Sequence, residues 1–205
     1  MMNKLFTMCL VILLTGSTTL ALDINIPTWR GVEGSTYQKW EFSTPDLMPV
    51  PEVGSFNPYG QTLLRVTPYG GWIPEPIGAW SLSGEIDVLI PNLDIPRPEK
   101  WIRIQLTWQA ADNDGFLPGV PLVGVVAFPD YDVISIGPRT DINVDGWIHS
   151  TYDIVIKPNP SSEWIAIKGD ITVDELVIDT ICVPEPATMT LLGLGGLALM
   201  RKRRI

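Results

Sequence analysis

Histidine and cysteine are almost missing from this chain, and each scarcity closes off a kind of chemistry. The sequence holds one histidine, His149, so no cluster of histidines can bind a metal, and a Ser-His-Asp triad would have to be built on that single ring. No serine stands in a G-x-S-x-G setting. Alternation along WIHSTY sets His149 opposite Ile148 and Tyr152, as a polar residue on the outer face of a strand. Of the two cysteines, Cys9 lies in an apolar N-terminal stretch and Cys182 close to the other end, without a neighbouring base that would make it a nucleophile. Lys and Arg number 14 against 23 Asp and Glu. An apolar run of the roughly 20 residues needed to cross a bilayer as a helix is absent. No stretch of the body carries the 3.6-residue period of an amphipathic helix.

Two shorter apolar runs mark the ends. Asn3 and Lys4 precede the run Leu5 to Leu14, and a small, polar stretch then leads to Thr19-Leu20-Ala21, which has the form of a signal-peptidase site. Residues 1–21 are therefore expected to be a signal peptide, a signal helix cleaved after Ala21. Cys9 leaves with it, and the body then has no partner for Cys182 in an intramolecular disulfide. At the other end, Met189 to Met200 is apolar or glycine with little interruption, and Arg201, Lys202, Arg203 and Arg204 follow at once. That order describes a short C-terminal hydrophobic helix with a cationic cytoplasmic stop. At twelve residues it is too short for a permanent transmembrane helix and reads as a transient inner-membrane anchor. Pro184 and Pro186 cannot donate backbone hydrogen bonds, so Val183 to Pro186 should be an exposed strip open to a peptidase.

The sequence Val183-Pro184-Glu185-Pro186-Ala187-Thr188, the glycine-interrupted apolar run and the closing RKRR together resemble the PEP-CTERM sorting signal of Gram-negative bacteria. The resemblance spans residues 183–205. It implies a partner, the membrane-embedded cysteine peptidase exosortase, that recognises Pro184, Glu185 and Pro186 and releases or transfers the protein beyond the inner membrane. The implied destination is the cell surface or the extracellular matrix.

Between the two signals, residues 22–182 are expected to form one domain of ordinary size, held by a packed core. Residues 22–183 hold nine Lys or Arg and 22 Asp or Glu, a formal charge of −13, which argues against nucleic acid and anionic lipid as partners. KWIRIQLTW alternates, with Ile102, Ile104, Leu106 and Trp108 on one face and Trp101, Arg103, Gln105 and Thr107 on the other. GEIDVLIP and WIHSTYDIVIKP read as strands ending at proline, and Tyr37 to Ser43 and Gln61 to Thr67 supply earlier ones. VGVVAF, apolar on both faces, reads as a central strand covered on two sides. In IAIKGDITVDELVIDTIC the apolar parity changes, which predicts a bulge or turn near Asp174 and Glu175. About eight short strands, punctuated by nineteen prolines and eighteen glycines, point to an all-β fold: an antiparallel two-sheet β-sandwich, jelly-roll-like, with an up-and-down barrel as the alternative. The closing VDEL segment also resembles the last strand of jelly-roll carbohydrate-binding modules.

Two loops carry clustered oxygen ligands, the first of them at calcium-loop spacing. Asp141-Ile142-Asn143-Val144-Asp145-Gly146 matches the first six places of D-x-[DN]-x-[DN]-G, so Asp141, Asn143 and Asp145 are candidate Ca2+ ligands. The twelfth place is Tyr152 instead of Glu and the flanks read as strands, so a turn between strands competes with the calcium reading. Asp112-Asn113-Asp114-Gly115 is a stronger turn signal than a metal signal. Eight tryptophans are many for this length, and Trp101 and Trp147, opposite the apolar rows of their strands, are the candidates for contact with polysaccharide. The resulting expectation is an exported, non-enzymatic surface protein with a structural or adhesive role. The alternatives are a carbohydrate-binding module for extracellular polysaccharide and, second, a small glycan-active hydrolase or lyase using a carboxylate pair.

Overall fold

The computed structural model describes residues 23–74, 76–111, 117–129 and 133–184. The two signal segments lie outside the described residues, apart from Val183 and Pro184, as does the Asp112 to Gly115 loop. In chain order the strands are β1 (Ser35–Glu41), β2 (Leu63–Thr67), β3 (Trp72–Ile73), β4 (Ala79–Ser81), β5 (Gly84–Pro91), β6 (Glu99–Ala110), β7 (Leu122–Phe128), β8 (Val133–Ile136), β9 (Thr140–Val144), β10 (Trp147–Lys157), β11 (Ser162–Gly169) and β12 (Ile171–Val183). No helix occurs among the described residues.

The strands build two antiparallel sheets. An eight-stranded sheet runs β3-β4-β12-β6-β10-β8, with β1 also paired to β12 and β9 to β10; a four-stranded sheet runs β2-β5-β11-β7. The expected all-β sandwich is what forms. Its core is the set of residues that alternation placed inward: Ile102, Ile104, Leu106 and Trp108 from β6, Ile154 and Ile156 from β10, Leu176 and Ile178 from β12, facing Ile86, Val88, Ile90, Ile165 and Ile167 of the smaller sheet. Each such side chain taken fully from water contributes roughly 1.5–3 kcal/mol, which is how a domain with a lone buried thiol, Cys182, holds together.

Two readings of the sequence are resolved in detail. The register of β12 against β6 shifts between Val173 and Glu175, the bulge that the change of parity required. The chain also changes sheets just upstream. Ile165 and Ile167 belong to β11 in the small sheet, and Ile171 and Val173 to β12 in the large one, with Asp170 at the corner donating its N–H to the Pro118 carbonyl at 2.9 Å. VGVVAF requires a correction. It forms β7, an edge strand of the four-stranded sheet, and Leu122, Val126 and Phe128 face solvent. A run apolar on both faces normally means cover on both; here the second face is an open apolar surface.

Candidate functional site

The molecule presents two outer faces, one on each sheet. On the eight-stranded sheet, cross-strand register lines up mostly polar residues in rows: Tyr37, Asp179, Arg103 and Asp153 in one, and Lys39, Gln105 and Thr151 with the apolar Val177 in the next. The segment before β1 crosses these rows as a strap. Asn25 donates its backbone N–H to Gln105 Oε1 and its side-chain amide to Thr151 Oγ1, both at 2.7 Å. Gln105 in turn donates to Asp23 at 2.8 Å. Arg30 grips both carboxylates of a pair, Asp23 and the fully buried Asp179, and lies over the Tyr37 ring at 4.1 Å. Lys39 likewise bridges Glu41 and the buried Glu175. Burial pushes the Asp179 and Glu175 carboxyls above the usual carboxylate range, against the opposing pull of Arg30 and Lys39.

Trp101 and Trp147 both lie on this face, and the fold does not bring them together. Trp101 pairs with Val155 and Trp147 is eight residues back along the same strand, β10, so they sit roughly 27 Å apart at about 3.4 Å per residue. Trp101 is 38% exposed, and the strap reaches it: Trp29 meets its ring edge-on with centroids 5.6 Å apart. Trp147 is half-buried at the start of β10, beside Val144. His149 stands on the same face, its Nδ1 2.9 Å from the Thr107 hydroxyl, with burial pushing its pKa down.

Asp145 and Gly146 are the two residues between β9 and β10, with φ of 51° and 87°. Positive φ at both centres is the two-residue hairpin turn that Asp-Gly favours, and only glycine takes such a φ without cost. Asp141 lies on β9, where its carboxylate is 2.9 Å from Arg139 and accepts from the Ser150 hydroxyl at 2.6 Å; Asn143 is exposed on the same strand. Among the described residues no three His, Cys, Asp or Glu side chains converge as a metal site.

The outer face of the four-stranded sheet is built differently. Register sets Leu63, Leu89, Trp164 and Val126 side by side across all four strands, with Pro91, Ser162 and Phe128 in the next row. Leu63, Val126 and Phe128 are each more than two-fifths exposed. On the other side of Trp164 the row is Arg65, Asp87, Ala166 and Gly124, whose last two members are small and leave a step beside the indole. The indole N–H donates to Asp87 Oδ1 at 2.9 Å, and Arg65 donates to Asp87 Oδ2 at 2.7 Å. Burial would raise the Asp87 carboxyl, but these hydrogen bonds outweigh it and hold it below the usual range. The ring edge is thus pinned by an ionised carboxylate in a flat, open row. Trp164 was missed in the sequence, although the parity test that selected Trp101 and Trp147 selects it too: it alternates with Ile165 and Ile167 in EWIAIKG.

β12 runs through the interior of the large sheet and stops where Pro184, exposed and without an N–H, begins the tail. Glu185 and Pro186 lie outside the described residues, as does Ala21. No curated protein and no solved structure matches the chain. Residues 183–204 match the model of the PEP-CTERM protein-sorting motif, starting at the last residue of β12. The chain is therefore an exosortase-processed, exported surface protein with a C-terminal membrane-anchoring segment.

Proposed function

We propose that the body is a structural or adhesive module of the cell surface or extracellular matrix, without catalysis of its own, and that it makes contact through the outer face of the four-stranded sheet. The observation that carries this is the row Leu63, Leu89, Trp164 and Val126, exposed at Leu63 and Val126 and half-buried at Leu89 and Trp164, with exposed Phe128 beside it. Contiguous exposed apolar surface of this kind marks contact sites on soluble domains. In maturation, signal peptidase cuts after Ala21, which makes Leu22 the first residue of the processed body. The short tail holds the chain transiently in the inner membrane until exosortase acts at Pro184, Glu185 and Pro186.

Retention of added protein on washed host cells or isolated matrix tests the reading. Val126→Lys with Phe128→Lys should abolish retention, and Ser135→Lys on the opposite face should leave it intact; equal loss from both would refute the assignment of the face. A second reading, polysaccharide binding, is favoured by the pinned Trp164, since an indole face offers a sugar ring a rigid apolar surface. Titrating exopolysaccharides against intrinsic fluorescence should then give a response that Trp164→Ala removes. A response removed by Trp101→Ala or Trp147→Ala would move the site to the large sheet.

A further inference from the structure

β6 opens with a lysine at a core position: Lys100 shares the inward parity of Ile102 and Ile104, and its neighbours across the ladder are Cys182 and Ile156. Opposite, in the small sheet, Glu163 shares the inward parity of Ile165, between Ile90 and Ala127. Both side chains are 0% exposed, and Nζ stands 2.8 Å from Glu163 Oε1. Asn92, buried just past the end of β5, completes the group. Lys100 Nζ donates to Asn92 Oδ1, while Asn92 Nδ2 donates to Glu163 Oε2 and to the Pro160 carbonyl at 3.0 Å. The amine is therefore in contact with the oxygen of the carboxamide, one bond from Cγ. One carboxyl touches both the attacking nitrogen and the nitrogen that would leave.

We propose that Lys100 and Asn92 are joined by an intramolecular isopeptide bond, with Glu163 carrying the protons. Glu163 first accepts a proton from the lysine ammonium, giving a neutral amine and a carboxylic acid. The amine lone pair attacks Asn92 Cγ, forming the Nζ–Cγ bond, and the carbonyl pair shifts to Oδ1. Nδ2 then takes the proton from the carboxyl through its Oε2 contact, Nζ gives its second proton back to the resulting carboxylate at Oε1, and the Cγ–Nδ2 bond breaks as the carbonyl re-forms. Ammonia departs, the remaining proton stays on Glu163, and nothing is oxidised or reduced.

The surroundings favour each stage. Burial pushes the Glu163 carboxyl up, which makes it a competent proton acceptor and then donor. A dry site disfavours the charged pair relative to the neutral amine and acid that react. Apart from its approach to Nζ, Glu163 Oε1 has no partner, so it is not otherwise engaged. Pro160, which holds the leaving amide, also lines a surface cleft with Leu93 and Pro129, a route for ammonia. The bond would tie the end of β5 in one sheet to the start of β6 in the other. In an exported body whose lone cysteine precludes an internal disulfide, that is a redox-independent staple.

Tryptic digestion of the purified, folded full chain decides the matter. Trypsin does not cut Arg97 before Pro98, so an unlinked chain yields a peptide from Val66 ending at Lys100. The proposal predicts instead a peptide from Val66 to Arg103, uncut at Lys100 and one ammonia lighter than its sequence. Glu163→Gln, checked for folding by circular dichroism, should restore the ordinary peptide. A folded unsubstituted protein that gives only the peptide ending at Lys100, at full mass, overturns the proposal whatever the variant does. An equal yield of cross-link in Glu163→Gln would overturn the role given to Glu163.

Discussion

The two outer faces obey the same rule of alternation and end in opposite states. On the large sheet the outward rows through Asp179 and Gln105 are mostly ionic or polar and are tied down by the segment before β1, through Asp23, Asn25 and Arg30. On the four-stranded sheet the outward residues are apolar and aromatic, and Asp87 with Arg65 pins the central indole by its edge. A strand pattern tells which residues share a face. It does not tell whether water or another part of the chain lies over that face.

Breaking the clamp of the covered face should have the largest effect. Arg30→Met leaves Asp179 buried without its cation, and removing one partner of a buried ion pair costs about 3 kcal/mol or more. Urea unfolding should register that loss. An effect below about 1 kcal/mol would mean that the strap is only surface decoration. The turn that joins β9 to β10 under this face comes next: Gly146→Val places a branched side chain at φ 87° and should cost of the order of 1–3 kcal/mol. By contrast, Val126→Lys on the open face should change stability by no more than about 0.5 kcal/mol while removing surface retention.

The faces should also part in their response to pH. Asp179 is protonated more readily in the folded protein than in the unfolded chain, so in the window just above the ordinary carboxylate range the folded state binds the extra proton. Its contribution to stability therefore falls as pH rises through that window. Asp87 has the opposite sign: its stabilisation is present above the unfolded pKa and lost as pH falls through the depressed folded one. Stability measured from about pH 3 to pH 6 should lose its acid-side decline in part in Asp87→Asn and steepen that decline in Asp179→Asn. The smallest effect belongs to calcium. Asp141 is already matched by Arg139 and Ser150, so the melting temperature should be unchanged between millimolar calcium and excess chelator. A rise with calcium would support Asp141, Asn143 and Asp145 as ligands.

Much of this was legible beforehand because it rests on local rules. The period-2 pattern of KWIRIQLTW set the inner and outer faces of β6, and the parity break at Asp174 marked the bulge. Asp145-Gly146 carried a turn between strands as one of its two readings. What escaped depends on contacts between distant residues. VGVVAF looks central because no local signal separates a second covered face from an open apolar one. Asn92, Lys100 and Glu163 come together only once two sheets are stacked, and Lys100, taken alone, reads as the polar start of a strand. The strap was invisible for the same reason: Asp23 and Asp179 meet through an arginine, with most of the domain lying between them in sequence.

Hydroxyl-radical footprinting of the processed protein, free and bound to isolated host matrix, compares the two faces in a single experiment. The account predicts protection of Trp164, Val126 and Phe128 on binding, with Tyr37 and Trp101 unchanged. Protection of Trp101 and Tyr37 with Trp164 still fully reactive would contradict it and make the clamped face the one that the protein presents.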